Sequence, residues 1–143
     1  SEEVLTDLAP LAEHKDIVLN CSGGALIIGS DTLLYRLVFN LVENAIRYSR
    51  PGSTVNVSIC DNDSHVFLRV EDQGPGIPKQ YRESIFQPFF RLDKSRSRAY
   101  GGAGLGLALV WEIAALHGGT VEVEASSENG ATMLTTLPKR TAA

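Results

Sequence analysis

The sequence contains few of the features that mark secreted, membrane-spanning or metal-stapled proteins. Only two cysteines occur among its 143 residues, Cys21 and Cys60, which are too few for a disulfide framework or a zinc site and predict reduced thiols in a reducing compartment. No run approaches the roughly 20 apolar residues needed to span a bilayer, and the opening residues SEEVLTDLAP lack the basic and apolar regions of a signal peptide. We therefore expect a soluble chain that makes no membrane contact of its own.

Excess positive charge, an interdomain linker and internal repeats are also missing. The formal net charge of −4 argues against general nucleic-acid binding. No Gly/Ser/Pro-rich linker, repeat or low-complexity run divides the chain. With 43% hydrophobic residues, the sequence suits a single domain, 1–143, built around one core.

The most strongly patterned stretch is 33–48, LLYRLVFNLVENAIRY. Its apolar residues recur in adjacent pairs every four positions, which predicts an amphipathic helix with Asp31 as N-cap and an end at the Ser-Arg-Pro-Gly run. Asn40 and Asn44 lie one turn apart at the margin of the apolar stripe, where a core meets a pocket. Hydrogen bonds to neighbouring backbone explain either asparagine alone, but both together, beside the glycine motifs below, indicate a functional site.

Periodicity and turn signals predict the remaining elements. An apolar run at 17–19 and another at 25–28 flank a Ser-Gly-Gly hairpin signal. The other predicted elements are a first helix at 4–15, strands at 54–60, 65–72, 120–125 and 131–137, a short helical piece at 81–86 and a buried helix at 107–116.

The strand at 65–72 directs a carboxylate into the protein. Alternation places Asp72 on the same face as Val66, Leu68 and Val70, and the turn QGPGIP follows at once. A buried carboxylate must find a hydrogen-bond donor. Asp72 is therefore either a cap for its own turn or an acceptor for the amino group of a ligand.

A second glycine-rich segment, GGAGLG at 101–106, follows a basic, polar stretch and opens the buried helix. Backbone N–H groups at a helix N-terminus suit phosphate. No Gly-Lys pair occurs, so the segment is not a P-loop, and its place in the chain does not fit a dinucleotide fingerprint.

Four segments in fixed order now carry a family resemblance. NLVENA at 40–45, DQGPG at 72–76, FQPFFR at 86–91 and GAGLGL at 102–107 resemble the N, G1, F and G2 boxes of one family. This family is the ATP-binding catalytic domain of bacterial two-component sensor histidine kinases, within the gyrase/HSP90/histidine kinase/MutL superfamily. The resemblance covers nearly the whole chain. It implies an α+β fold, the two-layer α/β sandwich called the Bergerat fold, with a mixed five-stranded sheet backed by about three helices and with ATP between the long helix and a flexible lid.

The resemblance also implies roles for individual residues. Asp72 would accept a hydrogen bond from the adenine amino group, and Gly76 would let the backbone approach the base. Asn44, together with Asn40, would supply amide oxygens to Mg²⁺. Arg47 and Tyr48 would contact phosphate and the sugar side of the nucleotide.

The same resemblance assigns the lid and the remaining contacts. Arg91 or Lys94 would meet the γ-phosphate, so Asn40, Asn44 and Arg91 are the expected catalytic residues. Backbone donors to the phosphate chain would come from Gly102, Gly104 and Gly106. Further contacts to the nucleotide are expected from Gly74, Ile77, Phe90, Leu105, Leu107 and Thr132.

One position separates the branches of the superfamily. ATPase members carry a water-activating Glu one helical turn before the metal-binding Asn, whereas this chain has Asn40, whose amide cannot accept a proton. The resemblance thus implies a kinase that donates the γ-phosphate to a histidine on a separate dimerisation domain. None of His14, His65 and His117 has the sequence context of that histidine, so we expect a catalytic fragment that does not autophosphorylate alone.

The parent protein implied by the resemblance is a membrane-bound sensor kinase with this domain in the cytoplasm, acting indirectly on a response regulator. Two alternatives remain open at this point. An anti-sigma-factor serine kinase has a similar length, but it carries Glu in place of Asn40 and lacks a clear F box. The second alternative is a docking module that binds nucleotide without catalysing a reaction.

Overall fold

Helices are interspersed with single strands and strand pairs along the chain, in an α+β arrangement. The structure is a computed structural model that describes residues 2–23, 31–74, 76–77, 79–87, 106–127 and 129–139. The helices of these residues are α1 (Glu2–Lys15), α2 (Asp31–Tyr48) and α3 (Gly106–Leu116). The strands are β1 (Val18–Gly23), β2 (Thr54–Asp61), β3 (His65–Glu71), β4 (Thr120–Ser127) and β5 (Gly130–Pro138).

The predicted elements match these with small differences at their ends. α2 begins at Asp31, the residue expected to cap it, and ends at Tyr48 as predicted. The short helical piece is two 3-10 turns, Lys79–Tyr81 and Ser84–Phe86. β4 and β5 both run further towards their shared hairpin than expected, because backbone pairing continues after the apolar alternation stops. The expected hairpin turn is wrong at Ser22 and Gly23, because both belong to β1 and pair with β2. The expected strand at 25–28 lies outside the described residues.

Five strands form one mixed sheet in the order β1-β2-β3-β5-β4. β1 and β2 are parallel, since α2 connects them as a crossover, and the other neighbouring pairs are antiparallel. The five-stranded mixed sheet with helices confirms the predicted fold class. No helix in the described part of the chain is long and apolar enough to cross a lipid bilayer.

The core lies between the helices and one face of the sheet. α2 packs on both α1 and α3, and its buried side chains include Leu37, Leu41 and Ile46. Val57 of β2 and Val70 of β3 are buried beneath them. This packing holds α2 across the sheet, so that Asn40 lies beside the start of α3 and the end of α2 lies beside the turn that follows β3.

Candidate functional site

Asp72 follows β3 and is buried, as the alternation predicted. Its exposed fraction is 8%, and both of its backbone donors, the N–H groups of Gly74 and Ala131, bind the same oxygen, Oδ1, at 3.1 and 3.0 Å. Among the described residues no donor reaches Oδ2. The carboxylate therefore caps its own turn with one oxygen and has the other available as an acceptor, so the two interpretations of Asp72 are compatible.

Burial raises the pKa of the Asp72 carboxyl above its ordinary value. The hydrogen bonds from Gly74 and Ala131 favour the charged form and oppose this shift, while the neighbouring charge of Glu71 adds to it. The site thus holds an acidic group whose charged form is costly until a donor approaches Oδ2.

Ala131 of β5 is a residue that the sequence did not single out. Its carbonyl accepts from the Asp72 N–H at 2.9 Å, and its own N–H binds Oδ1 in return. Thr132, the expected nucleotide contact, pairs with Glu71 and lines the same pocket as Asp72 and Ala131. Its contact with a nucleotide stays a prediction. The turn signal before β5 locates a hairpin, but it does not say which residue will face Asp72.

The two asparagines of α2 lie half-buried on the side of the helix next to α3. The Asn40 side-chain N–H donates to the carbonyl of Gly106 at 3.5 Å, which links α2 to the first residue of α3. Asn44, one turn later, makes no hydrogen bond with the described residues, so its amide is available to a ligand. The bland interpretation, in which both amides serve the local backbone, does not hold for Asn44.

Arg47 and Tyr48 complete the last turn of α2, and both are half-buried. The Arg47 guanidinium lies 3.6 Å from the carboxylate of Glu43 one turn earlier. This pair is partly exposed and contributes little stability, about 0.3–0.5 kcal/mol. The guanidinium thus lies beside α2, the helix that carries both asparagines.

The turn after β3 is joined to the end of α2 through Gln73. Its backbone N–H donates to the buried Ser49 hydroxyl at 3.1 Å, and its carbonyl accepts from the Arg50 N–H at 3.4 Å. The side-chain oxygen of Gln73 accepts from the Thr54 N–H at 2.6 Å. Three elements are thus tied together beside Asp72 by one residue.

Gly74 and Gly76 are required by contacts inside the protein. A Cβ on Gly74 would lie 2.2 Å from the carbonyl oxygen of Tyr48. Gly76 has a φ of +79°, and a Cβ there would lie 2.0 Å from the carbonyl oxygen of Ser127. The approach of Gly76 to a base stays a prediction. Ile77 packs against the core, and its N–H donates to the Ser126 hydroxyl at 2.7 Å.

Gly106 and Leu107 open α3. A Cβ on Gly106 would meet no atom of the described residues within 4 Å, and Leu107 packs against the core. Backbone N–H groups at the start of a helix suit phosphate, and the contact of Gly106 with a nucleotide stays a prediction. The other expected lid and loop contacts lie outside the described residues: Phe90, Arg91, Lys94, Gly102, Gly104 and Leu105.

Substitution by alanine should affect stability differently at Gly74 and at Gly106. Gly74→Ala should lower the free energy of unfolding by about 2 kcal/mol or more, because its methyl group would overlap the Tyr48 carbonyl. Gly106→Ala should leave stability unchanged or raise it by up to about 1 kcal/mol, because alanine is the better helix former and its Cβ would meet no described atom. Urea denaturation of both variants measures the difference, and equal losses would contradict it.

The described residues contain no cluster of three or more His, Cys, Asp or Glu side chains that could hold a metal ion. A metal ion at this site would therefore have to be held by side-chain amide oxygens and by oxygens of a bound nucleotide. Asn44, with its amide available, and Asn40, whose oxygen remains after its N–H binds Gly106, offer such oxygens. Hard oxygen donors of this kind, together with phosphates and waters, fit Mg²⁺.

Comparison with protein families identifies the arrangement. Residues 29–141 match the family described as histidine kinase-, DNA gyrase B- and HSP90-like ATPase. The chain is 45% identical over 129 residues to the sensor-like histidine kinase SenX3 of Mycobacterium tuberculosis, with 89% of this chain covered. It is 50% identical over 99 residues to the sensor protein RstB of Escherichia coli, with 69% of this chain covered. The chain spans 32% of the length of SenX3 and 22% of that of RstB.

Solved structures agree. The mycobacterial sensor histidine kinase MprB matches with a TM-score of 0.81 at 34% identity, covering 99% of this chain and 95% of that chain. Full-length ShkA in complex with AMPPNP matches with a TM-score of 0.84 at 29% identity, covering 99% of this chain and 30% of that one. The chain belongs to the family of histidine kinase-, DNA gyrase B- and HSP90-like ATPases, as an ATP-binding catalytic domain of the sensor histidine kinase type.

Proposed function

We propose that this domain binds Mg-ATP and donates the γ-phosphate to a histidine on a separate dimerisation domain of a two-component sensor kinase. The observation that carries the proposal is that α2, which bears Asn44 with its amide available, ends against the turn of Asp72, which has one carboxylate oxygen available. Asn40 stands where the ATPase members have a glutamate. The relative ShkA has been solved in full length in complex with AMPPNP, an ATP analogue, which supports the nucleotide-binding part of the proposal.

The adenine end of the site would be formed by Asp72 and its neighbours. Oδ2 would accept a hydrogen bond from the adenine amino group, because Oδ1 is already held by two backbone donors. A buried acceptor fixed by its own turn loses little freedom on binding, and it excludes bases that lack a donor at that position. Asp72 is therefore the residue that would select adenine.

The phosphate end would be formed by α2 and the start of α3. The amide oxygens of Asn44 and Asn40 would hold Mg²⁺, which neutralises charge on the phosphates. Arg47 would add positive charge on the same helix, with Tyr48 towards the sugar. Gly106, with Gly102 and Gly104, would present backbone N–H groups.

Water activation requires a base, and the described residues near Asn40 offer none that is free. An amide does not accept a proton at neutral pH. Glu43, the acidic residue beside Asn44, is 3.6 Å from the Arg47 guanidinium. We infer that bound ATP is hydrolysed slowly and that the γ-phosphate is kept for another acceptor, with Arg91 or Lys94 positioned against it.

That acceptor would come from outside this chain. His65 starts β3, seven residues before Asp72, so it lies about 23 Å from it along the strand. His117 is 5% exposed and bonded through Nδ1 to the Ile113 carbonyl at 2.8 Å, at the far end of α3 from Gly106. His14 lies at the end of α1 and is exposed. This placement supports a histidine supplied by the dimerisation domain.

We further propose that the domain works in the cytoplasm as part of a membrane-bound parent kinase and acts indirectly on a response regulator. The relative ThkA, with a TM-score of 0.78 at 26% identity, has been solved in complex with the response regulator protein TrrA.

Phosphotransfer assays test the proposal directly. Incubated alone with Mg-ATP labelled on the γ-phosphate, the domain should gain no acid-labile phosphohistidine, because its own histidines are distant from the site or lack the right context. Added to the dimerisation domain of the parent kinase, it should label that domain on histidine. Self-labelling at one phosphate per chain, acid-stable labelling of serine, or rapid hydrolysis of ATP by the isolated domain would contradict the proposal.

A further inference from the structure

Lys15, the last residue of α1, binds the end of α2. Its ammonium donates to the carbonyl of Ile46 at 3.1 Å and also to the carbonyl of Arg47. The last carbonyls of a helix have no partners within the helix and carry the negative end of its dipole. A lysine from another helix therefore caps the α2 terminus that carries Arg47 and Tyr48.

The cap has an energetic cost, because it places a charged ammonium in a partly buried position. Burial lowers the pKa of the Lys15 ammonium below its ordinary value, and the positive charge of Arg47 lowers it further. Carbonyl oxygens compensate by accepting charge-assisted hydrogen bonds, which are stronger than neutral ones. Lys15 thus contacts the backbone of Arg47 while the two side-chain charges repel each other.

Both ends of this contact are fixed to the rest of the protein. At α1, the Gly52 N–H donates to the Asp16 carbonyl at 2.7 Å, and the Val18 N–H donates to the Ser53 carbonyl at 3.0 Å. These bonds join the end of α1 to the chain that enters β2. A movement of α1 would consequently be felt at the end of α2 through Lys15.

On the other side, the end of α2 is joined to Asp72. Ser49 directly follows α2 and accepts from the Gln73 N–H at 3.1 Å, and the Arg50 N–H donates to the Gln73 carbonyl. Gly74 packs against the Tyr48 carbonyl. A continuous set of hydrogen bonds and contacts therefore leads from Lys15 through the end of α2 to the residue that would select adenine.

We propose that Lys15 is a positioning residue of the nucleotide site, which holds the last turn of α2 so that Arg47 and the Asp72 turn stay in their binding positions. The inference rests on the proposed nucleotide binding. Without the cap, the last turn of α2 frays, and the fraction of chains with a competent site falls. Apparent affinity falls by the same fraction. Lys15 itself touches no nucleotide in this account.

Three substitutions test this role. Lys15→Met keeps the apolar stem and removes the donor, and it should weaken Mg-ATP binding about tenfold by calorimetry at a temperature where the chain is folded. Lys15→Arg keeps charge and donors, and it should restore binding to within about threefold of the original. Lys139→Met is the matched control, because it removes a part-buried lysine that pairs with Asp61 at 2.5 Å at the other end of the sheet. It should bind like the unsubstituted chain.

Hydrogen exchange without nucleotide separates this inference from the proposed function. Exchange at the Arg50 and Gln73 N–H groups should be faster in Lys15→Met and unchanged in Lys139→Met. If the unsubstituted chain binds Mg-ATP and Lys15→Met binds within twofold of it, the inference is overturned. Unchanged exchange at Arg50 and Gln73 overturns it as well. If the unsubstituted chain binds no Mg-ATP, the proposed function is wrong. Faster exchange in Lys15→Met would then show only that Lys15 stabilises the contacts between the end of α2 and the Asp72 turn. Should Lys15→Met not fold, Lys15→Ala, which also removes the donor, is measured in its place.

Discussion

Asp72→Asn should weaken Mg-ATP binding by roughly 100-fold or more. The amide oxygen can still accept from Gly74 and Ala131, which places the amide NH₂ where Oδ2 was. Two donors, this NH₂ and the adenine amino group, would then face each other. Guanine carries an acceptor at the corresponding atom, so the ratio of Mg-GTP to Mg-ATP affinity should rise. Calorimetric titration with both nucleotides measures the two effects.

The same substitution should not harm the fold. Burial raises the pKa of Asp72, so the native state binds its proton more tightly than the unfolded state, and the charged carboxylate costs stability at neutral pH. This cost disappears as the pH falls through the raised pKa. Asp72→Asn should therefore be at least as stable as the original chain at pH 7, with the difference shrinking in acid. Glu71→Gln, an exposed neighbour, is the control, and equal loss of binding in both variants would contradict the role of Asp72.

The parts of the site that the sequence predicted are those set by a single element. The four-residue recurrence of apolar pairs located α2 and put Asn40 and Asn44 on its margin, and two-residue alternation turned Asp72 inward. These periods are geometric properties of a helix and a strand. They therefore fix which side of one element a residue occupies without knowledge of any neighbour.

Contacts between elements could not be predicted in the same way. Strand register made Ala131 the partner of Asp72, and no single-strand pattern contains register. Lys15 is the last residue of α1, where a basic residue suits the dipole of its own helix, yet it caps α2. Its long side chain can reach either helix, and only the packing of α1 on α2 decides between them.

The glycines show a further limit of sequence reasoning. A Gly-x-Gly after a strand indicates that something approaches the backbone closely, but it does not identify the approaching atom. At Gly74 and Gly76 the atoms are carbonyl oxygens of Tyr48 and Ser127. At Gly106 no described atom lies within 4 Å of where a Cβ would stand. The expected roles of Arg91 and Lys94 stay predictions, because those residues lie outside the described part of the chain.

Asn44→Ala should distinguish a contribution to Mg²⁺ binding from a contribution to nucleotide binding. Because the Asn44 amide has no hydrogen-bond partner among the described residues, its removal leaves no buried group unpaired and should cost little stability. Loss of its oxygen should weaken Mg-ATP binding roughly tenfold to 100-fold, the usual cost of disturbing a metal site, while binding of ATP in a chelator changes far less. Titrations with and without Mg²⁺ measure the difference.

Asn40→Ala should behave differently from Asn44→Ala, because the Asn40 N–H also joins α2 to the Gly106 carbonyl. Its loss should weaken ATP binding both with and without Mg²⁺, since the start of α3 loses a contact that the phosphates need in either case. Asn20→Ala, on the exposed strand β1, is the control and should change ATP binding neither with nor without Mg²⁺.

Equal losses for Asn44→Ala with and without the metal would exclude its amide as a magnesium ligand and leave it only a nucleotide contact. A drop in phosphotransfer that exceeds the drop in Mg-ATP affinity would place Asn44 in the transfer step itself, since only an interaction stronger in the transition state lowers the rate at saturation.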